Sequence, residues 1–233
     1  MATVKVLRHL GVDVAFPEDQ TCCGQIGFNG GYRPEAADVA RHFIETFEGY
    51  QHIVAPSGSC ASMIKVYYAE LFADDPEMLG RAKVVGAKTH ELSDFIVNVL
   101  GVTEVGGTSA GLVTYHDACH LLRELGIAKE PRTLIEGVRG VEIQEMEKSD
   151  ACCGFGGLFC VKYPEISTQM VANKADDAAR TGADTLLGGD LGCLLNIAGY
   201  LRRTGSPIRV FHVAEVLADM AGDSGIGEQE SVT

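Results

Sequence analysis

Apolar positions recur along the chain in two alternating rhythms. Short apolar runs, "VDVAF" (12–16), "HIVAP" (52–56), "LVTYH" (112–116), "VEIQEM" (141–146), "DTLLG" (184–188) and "IRVF" (208–211), read as strands. Between them lie longer segments with helical spacing. In "EAADVARHFIETFE" the residues Ala36, Val39, Ala40, Phe43, Ile44 and Phe47 share one face, and in "EISTQMVANKADDAARTG" so do Ile166, Met170, Val171, Ala175 and Ala178. Strands alternating with amphipathic helices predict an α/β fold, with parallel strands joined by right-handed crossovers.

The pattern occurs twice. "FPEDQTCCGQIGFNGG" (16–31) resembles "MEKSDACCGFGGLFC" (146–160), and each is followed by a helix, a short strand and a single cysteine, Cys60 in "HIVAPSGSC" and Cys193 in "ADTLLGGDLGC". Each copy closes alike, "THELSDFIVNVL" around His90 and "FHVAEVLADM" around His212, with the two histidines expected to cap helix starts. The expectation is two related Rossmann-like parallel-sheet halves from an internal duplication, 1–103 and 104–220. They divide within the glycine-rich "GVTEVGGTSAG" (101–111), and the polar tail 221–233 is expected to be disordered.

Composition removes several functions. The formal net charge is -13, with 19 Lys and Arg against 32 acids, which disfavours nucleic acid and anionic membrane surfaces as partners. No apolar run reaches the roughly 18 to 20 residues that span a bilayer, and Asp13 interrupts the stretch where a signal peptide needs an apolar core. A cytoplasmic location is expected. In a reducing compartment the eight cysteines read as metal ligands, nucleophiles or buried fillers in preference to disulfides.

Spacing favours metal. Cys119 is separated by 32 intervening residues from the pair Cys152 and Cys153, that pair by 39 from Cys193, and the pair Cys22 and Cys23 by 36 from Cys60. These positions fall at strand-to-helix junctions, which a parallel sheet gathers at its carboxyl edge, where helix N-termini favour thiolates. Adjacent thiols cannot close an unstrained disulfide, yet a cluster of several irons offers each a separate metal atom. Gly154, Gly156 and Gly157 let backbone approach a bulky inorganic core. Zinc is the simpler rival, but structural zinc sites usually pair Cys-x2-4-Cys knuckles and none occurs here. Cys160 has no counterpart in the first half and reads as a filler. His116, Asp117 and His120 flank Cys119; a Cys/His nucleophile pair is conceivable, though a histidine beside a ligand more often orients it. Arg123, one turn past Cys119, could balance an anionic cluster, bind a carboxylate, or simply be solvated.

"YHDACHLLRELGI", "KSDACCGFGGLFCVKYPEIS" and "QTCCGQIGFNGGYRPEA" resemble the cysteine-rich CCG domain family. That family includes the CCG-bearing component of heterodisulfide reductase, the iron–sulfur subunits of glycolate oxidase and anaerobic glycerol-3-phosphate dehydrogenase, and the lactate-utilisation protein A group, to which the resemblance is closest. It implies [4Fe–4S] binding and electron transfer in a complex that oxidises L-lactate, beside a ferredoxin-type iron–sulfur subunit and a third protein. The family's ligands fall on Cys119, Cys152, Cys153 and Cys193, with an incomplete second set at Cys22, Cys23 and Cys60. His116, His120, Arg123 and Gly154 would surround the first cluster.

Two departures matter. The family's closing Cys-x-x-Cys reads "CASM" at Cys60 and "CLLN" at Cys193, which favours a four-thiolate [4Fe–4S] site over a non-cubane one. The first copy also lacks the strand and cysteine that "LVTYHDAC" supplies in the second, so an amino-terminally shortened chain is expected. No dinucleotide site is present, since "GFGGLF" lacks the G-x-G-x-x-G spacing. The expected role is a non-catalytic or partly catalytic subunit of an oxidoreductase. The alternatives are a thiol enzyme acting on a disulfide, as in the heterodisulfide reductases, or a structural zinc module.

Overall fold

In the computed structural model of the chain, residues 1–222, 225 and 226 are described. All strands run parallel. β1 (Ile53–Ala55) and β2 (Thr89–Glu91) form a small sheet; β3 (Thr108–His116), β4 (Arg139–Ile143), β5 (Thr185–Gly188) and β6 (Arg209–His212) form a larger one in the order β4-β3-β5-β6. The α/β class with parallel sheets is as the alternating rhythms predict.

The period of two along each strand divides the large sheet into two dry faces. Val113, Tyr115, Leu187 and Phe211 enter one core, while Leu186 and Val210 enter another with Val171, Leu194 and Ile197. A third core around Ile44, Met63, Tyr68 and Phe72 fills the first half.

The first of these cores is shared. Leu92, Phe95 and Ile96, which follow β2, and Val6 and Leu7 of helix Ala2–His9 all pack against the large sheet. Lys5 Nζ also donates to the carbonyl of Ala218. The halves are therefore joined by apolar burial as well as by the chain.

Three expectations differ in detail. "VDVAF" is irregular. Its counterpart in the second half, β4, is a strand because it pairs with β3. Among the described residues the first half has no equivalent of β3, so this segment has no ladder to join. β3 also reaches back into the expected connection, starting at Thr108 with a register shift before Gly111. His212 does cap a helix, accepting from the N–H of Ala214 at 3.1 Å, but in the first half the cap is Glu91 and not His90. Of the tail expected to be disordered, 223, 224 and 227–233 lie outside the described residues. Ile226 donates its N–H to Val210 at 2.8 Å, covering part of the free edge of β6. Among the described residues no helix is long and apolar enough to cross a membrane.

Candidate metal centre

The carboxyl ends of the strands carry the cysteines. β3 runs into Cys119, β5 leads through Asp190 into the helix Leu191–Arg203 with Cys193, and the loop after β4 brings in Cys152 and Cys153. Four thiols from these three segments make a continuous contact chain, Cys119 to Cys152, Cys152 to Cys153 and Cys153 to Cys193. Cys153 and Cys193 are buried, and Cys119 and Cys152 half-buried. In the first half Cys23 and Cys60 lie with their sulfurs 3.3 Å apart, and Cys22 adjoins Cys23. All eight cysteines are free thiols.

The thiols share protons along each chain. Cys152 is pulled down to about 2 because Cys119 and then Cys153 donate to its sulfur, and Cys193 to about 7 because Cys153 donates to it and the imidazole of His116 lies beside it. Cys22 falls to about 6 beside Cys23. The donors, Cys119, Cys153 and Cys23, are held protonated by those same bonds and by burial. A metal would displace the shared protons and bind the sulfurs as thiolates.

Backbone geometry supports each pair identically. Gly24 and Gly154 have φ of 84° and 83°, and each directs its N–H to the sulfur of the first cysteine, Cys22 or Cys152, at 3.4 Å. This left-handed conformation is what glycine supplies there. Around the second pair, Asn196 donates to the carbonyl of Cys153 at 2.8 Å and Ser167 to that of Gly154 at 2.8 Å. Lys174, fully buried, donates to the carbonyls of Lys148 and Ser149, and Asp177 accepts from the N–H of Lys148.

A profile of the cysteine-rich CCG domain matches residues 1–65 and 113–198, which include all seven of these cysteines. The chain belongs to the CCG family. Curated relatives include lactate utilization protein A 1 of Bacillus cereus and lactate utilization protein A of Bacillus cytotoxicus and Bacillus thuringiensis. Each is 49% identical over 216 residues, covering 93% of this chain and 90% of the relative.

The other residues expected at this CCG site divide. His116 joins the thiols: a ring nitrogen and the sulfurs of Cys153 and Cys193 lie within 4.8 Å of one another. His120 reaches the edge, with Nδ1 3.6 Å from Cys119 Sγ and Nε2 3.4 Å from Gln25 of the first half. Arg123 is exposed and donates to the carbonyl of Asp150 at 3.1 Å, so it braces the loop before Cys152 and does not face the sulfurs. Cys160 stands outside the thiol chain, bonded to the carbonyl of Gly157 at 3.4 Å. Four soft thiols and a buried imidazole constitute a donor set suited to a transition metal.

Sequence reasoning missed the residue that ties the two CCG sites together. Asp190 is buried at the start of the Cys193 helix, yet its carboxylate accepts from Ser59 N at 2.8 Å and Ser57 Oγ at 3.1 Å, at the start of the helix carrying Cys60. Gly58 N also donates to Gly189 O at 3.2 Å. The available signal was that "SGSC" and "GDLGC" set Ser57 and Asp190 each three residues before the cysteine.

Close to this seam Glu91 is 1% exposed, and burial raises its carboxyl to about 7 although the N–H groups of Ser93 and Asp94 oppose the shift. A carboxyl whose folded value lies above its unfolded one leaves stability intact at low pH. That stability is lost as pH rises from about 4.5 through about 7. Glu91→Gln removes the ionisation. It should leave stability near that of the wild type at pH 4.5 and raise it by up to about 3 kcal/mol at pH 8. Urea unfolding at the two pH values checks this; an equal effect at both contradicts it.

Proposed function

We propose that the chain is an iron–sulfur electron-transfer subunit of a cytoplasmic system that oxidises L-lactate or a similar 2-hydroxy acid. The observation that carries this reading is the meeting of four reduced thiols from three separate segments at one sheet edge. Cys119, Cys152, Cys153 and Cys193 would hold a [4Fe–4S] cluster, which accepts and passes on single electrons when bound. Cys22, Cys23 and Cys60 would be an incomplete second set.

The protein's own groups define what such a cluster experiences. Burial of Cys153 and Cys193 keeps water from one side. The N–H of Gly154 stabilises thiolate charge on Cys152, and Lys174 fixes the approach of the loop without touching sulfur. Cys119 stands at the half-buried side nearest the first half, where His120 meets Gln25. The names of the relatives support lactate utilisation as the setting. Partners would be a ferredoxin-type iron–sulfur subunit and a third protein of the same system.

Deletion of the gene in its host should abolish growth on L-lactate but not on glucose. The wild-type chain should restore growth and a Cys153→Ser chain should not. Restoration by both would remove the cluster from the function.

A further inference from the structure

β3 ends at His116, whose ring is 1% exposed. Neither Nδ1 nor Nε2 has a hydrogen-bond partner of ordinary geometry. An unpaired buried polar atom costs about 1 to 3 kcal/mol, so a ring whose nitrogens have at most the sulfur of Cys193 beside them calls for a stronger partner. The direction of the ring indicates which. A nitrogen lies within 4.8 Å of both Cys153 Sγ and Cys193 Sγ, the two buried members of the thiol chain. The residue that stands three positions after Cys193 is Asn196, whose side-chain N–H donates to the carbonyl of Cys153 at 2.8 Å.

We propose that His116 is itself a ligand of the second-half centre, a neutral imidazole nitrogen on the metal beside the thiolates of Cys153 and Cys193. This rests on the iron–sulfur reading above. It changes the donor count. Four thiolates already fill the terminal positions of a cubane, so a fifth donor gives one metal atom two protein ligands. It also explains why a histidine is buried among cysteines, where a purely structural core position would hold an apolar side chain.

Pulsed electron paramagnetic resonance on the full chain decides the matter. Protein labelled with 15N-histidine and purified without oxygen is reduced and its nitrogen couplings recorded. The wild type should show one strong coupling of the size of a directly bound imidazole. That coupling should persist in His120→Asn and disappear in His116→Asn. His120 is the control because its Nδ1 is 3.6 Å from Cys119 Sγ.

Only weak couplings in the wild type, as from a hydrogen-bonded or distant ring, overturn the proposal. So does a strong coupling that is lost in His120→Asn. The wild type and the His120 variant suffice for the decision, so a His116 variant that fails to fold leaves it testable. A wild-type chain without iron overturns the iron–sulfur reading and this ligand together, and metal analysis reveals that outcome before any spectrum.

Discussion

Cys153→Ser should lower iron retention by more than about tenfold, since even residues that only support a metal ligand cost 10- to 100-fold when lost. Cys153 is the central link of the thiol chain, touching both Cys152 and Cys193, and is 2% exposed. A serine oxygen is a hard donor that remains protonated at neutral pH, and no neighbouring thiol can swing into a buried position to replace it. The contrast is Cys160→Ser. Cys160 lies seven residues further on and its thiol donates to the carbonyl of Gly157, away from the other sulfurs, so its replacement should leave iron unchanged. Iron measured per chain after anaerobic purification separates the two, and equal losses in both variants would contradict the assignment.

The second large effect is expected at Gly154, where conformation and space act together. Its φ is +83°, and a Cβ there would lie 2.7 Å from the carbonyl oxygen of Ser167 and 3.1 Å from Cβ of Met170. Those atoms belong to helix Pro164–Arg180, whose backbone cannot yield as a side-chain tip could. Gly182 is the comparison: its φ is +74° with nothing within 4 Å. Gly182→Ala should therefore cost only the left-handed penalty of about 1 to 2 kcal/mol, and Gly154→Ala at least about 2 kcal/mol more. Gly154→Ala should also weaken iron binding, because the Gly154 N–H leaves the sulfur of Cys152. Urea unfolding of the two variants tests the difference. Equal destabilisation would mean that the loop can move away from the helix.

Much of this was legible in the sequence because it depends on local pattern. The doubled "CCG" and the single cysteines placed after strands are local features, and the parallel sheets that gather them follow from strand–helix alternation. Helix Arg33–Phe47 buries Ala36, Ala40, Phe43 and Ile44, as its period indicates. What escaped was non-local. "VDVAF" has the composition of a strand, but a strand exists only where a neighbour offers a ladder. In helix Pro164–Arg180 the apolar period pointed to Ile166, which is 54% exposed, while the buried face instead includes Lys174 and Asp177. Those two charges are buried because they bind the backbone of the loop before Cys152, a partner that a hydrophobic count cannot reveal. Asp190 was missed for the same reason: it sits where a cap of its own helix would be and serves the helix across the seam.

His116 shows the limit from the other side. Its place before Cys119 suggested an orienting role, but only the structure brings its ring to Cys153 and Cys193, which come from two other segments.

The central claim is that the thiols of Cys119, Cys152, Cys153 and Cys193 together hold iron and inorganic sulfide. Iron, sulfide and zinc should be measured on the full chain purified without oxygen. Iron and sulfide in equal amounts, about four of each per chain for one cubane, with the broad visible absorption of thiolate-to-iron charge transfer, is the predicted result. A colourless chain that contains only zinc, or no metal, would contradict it.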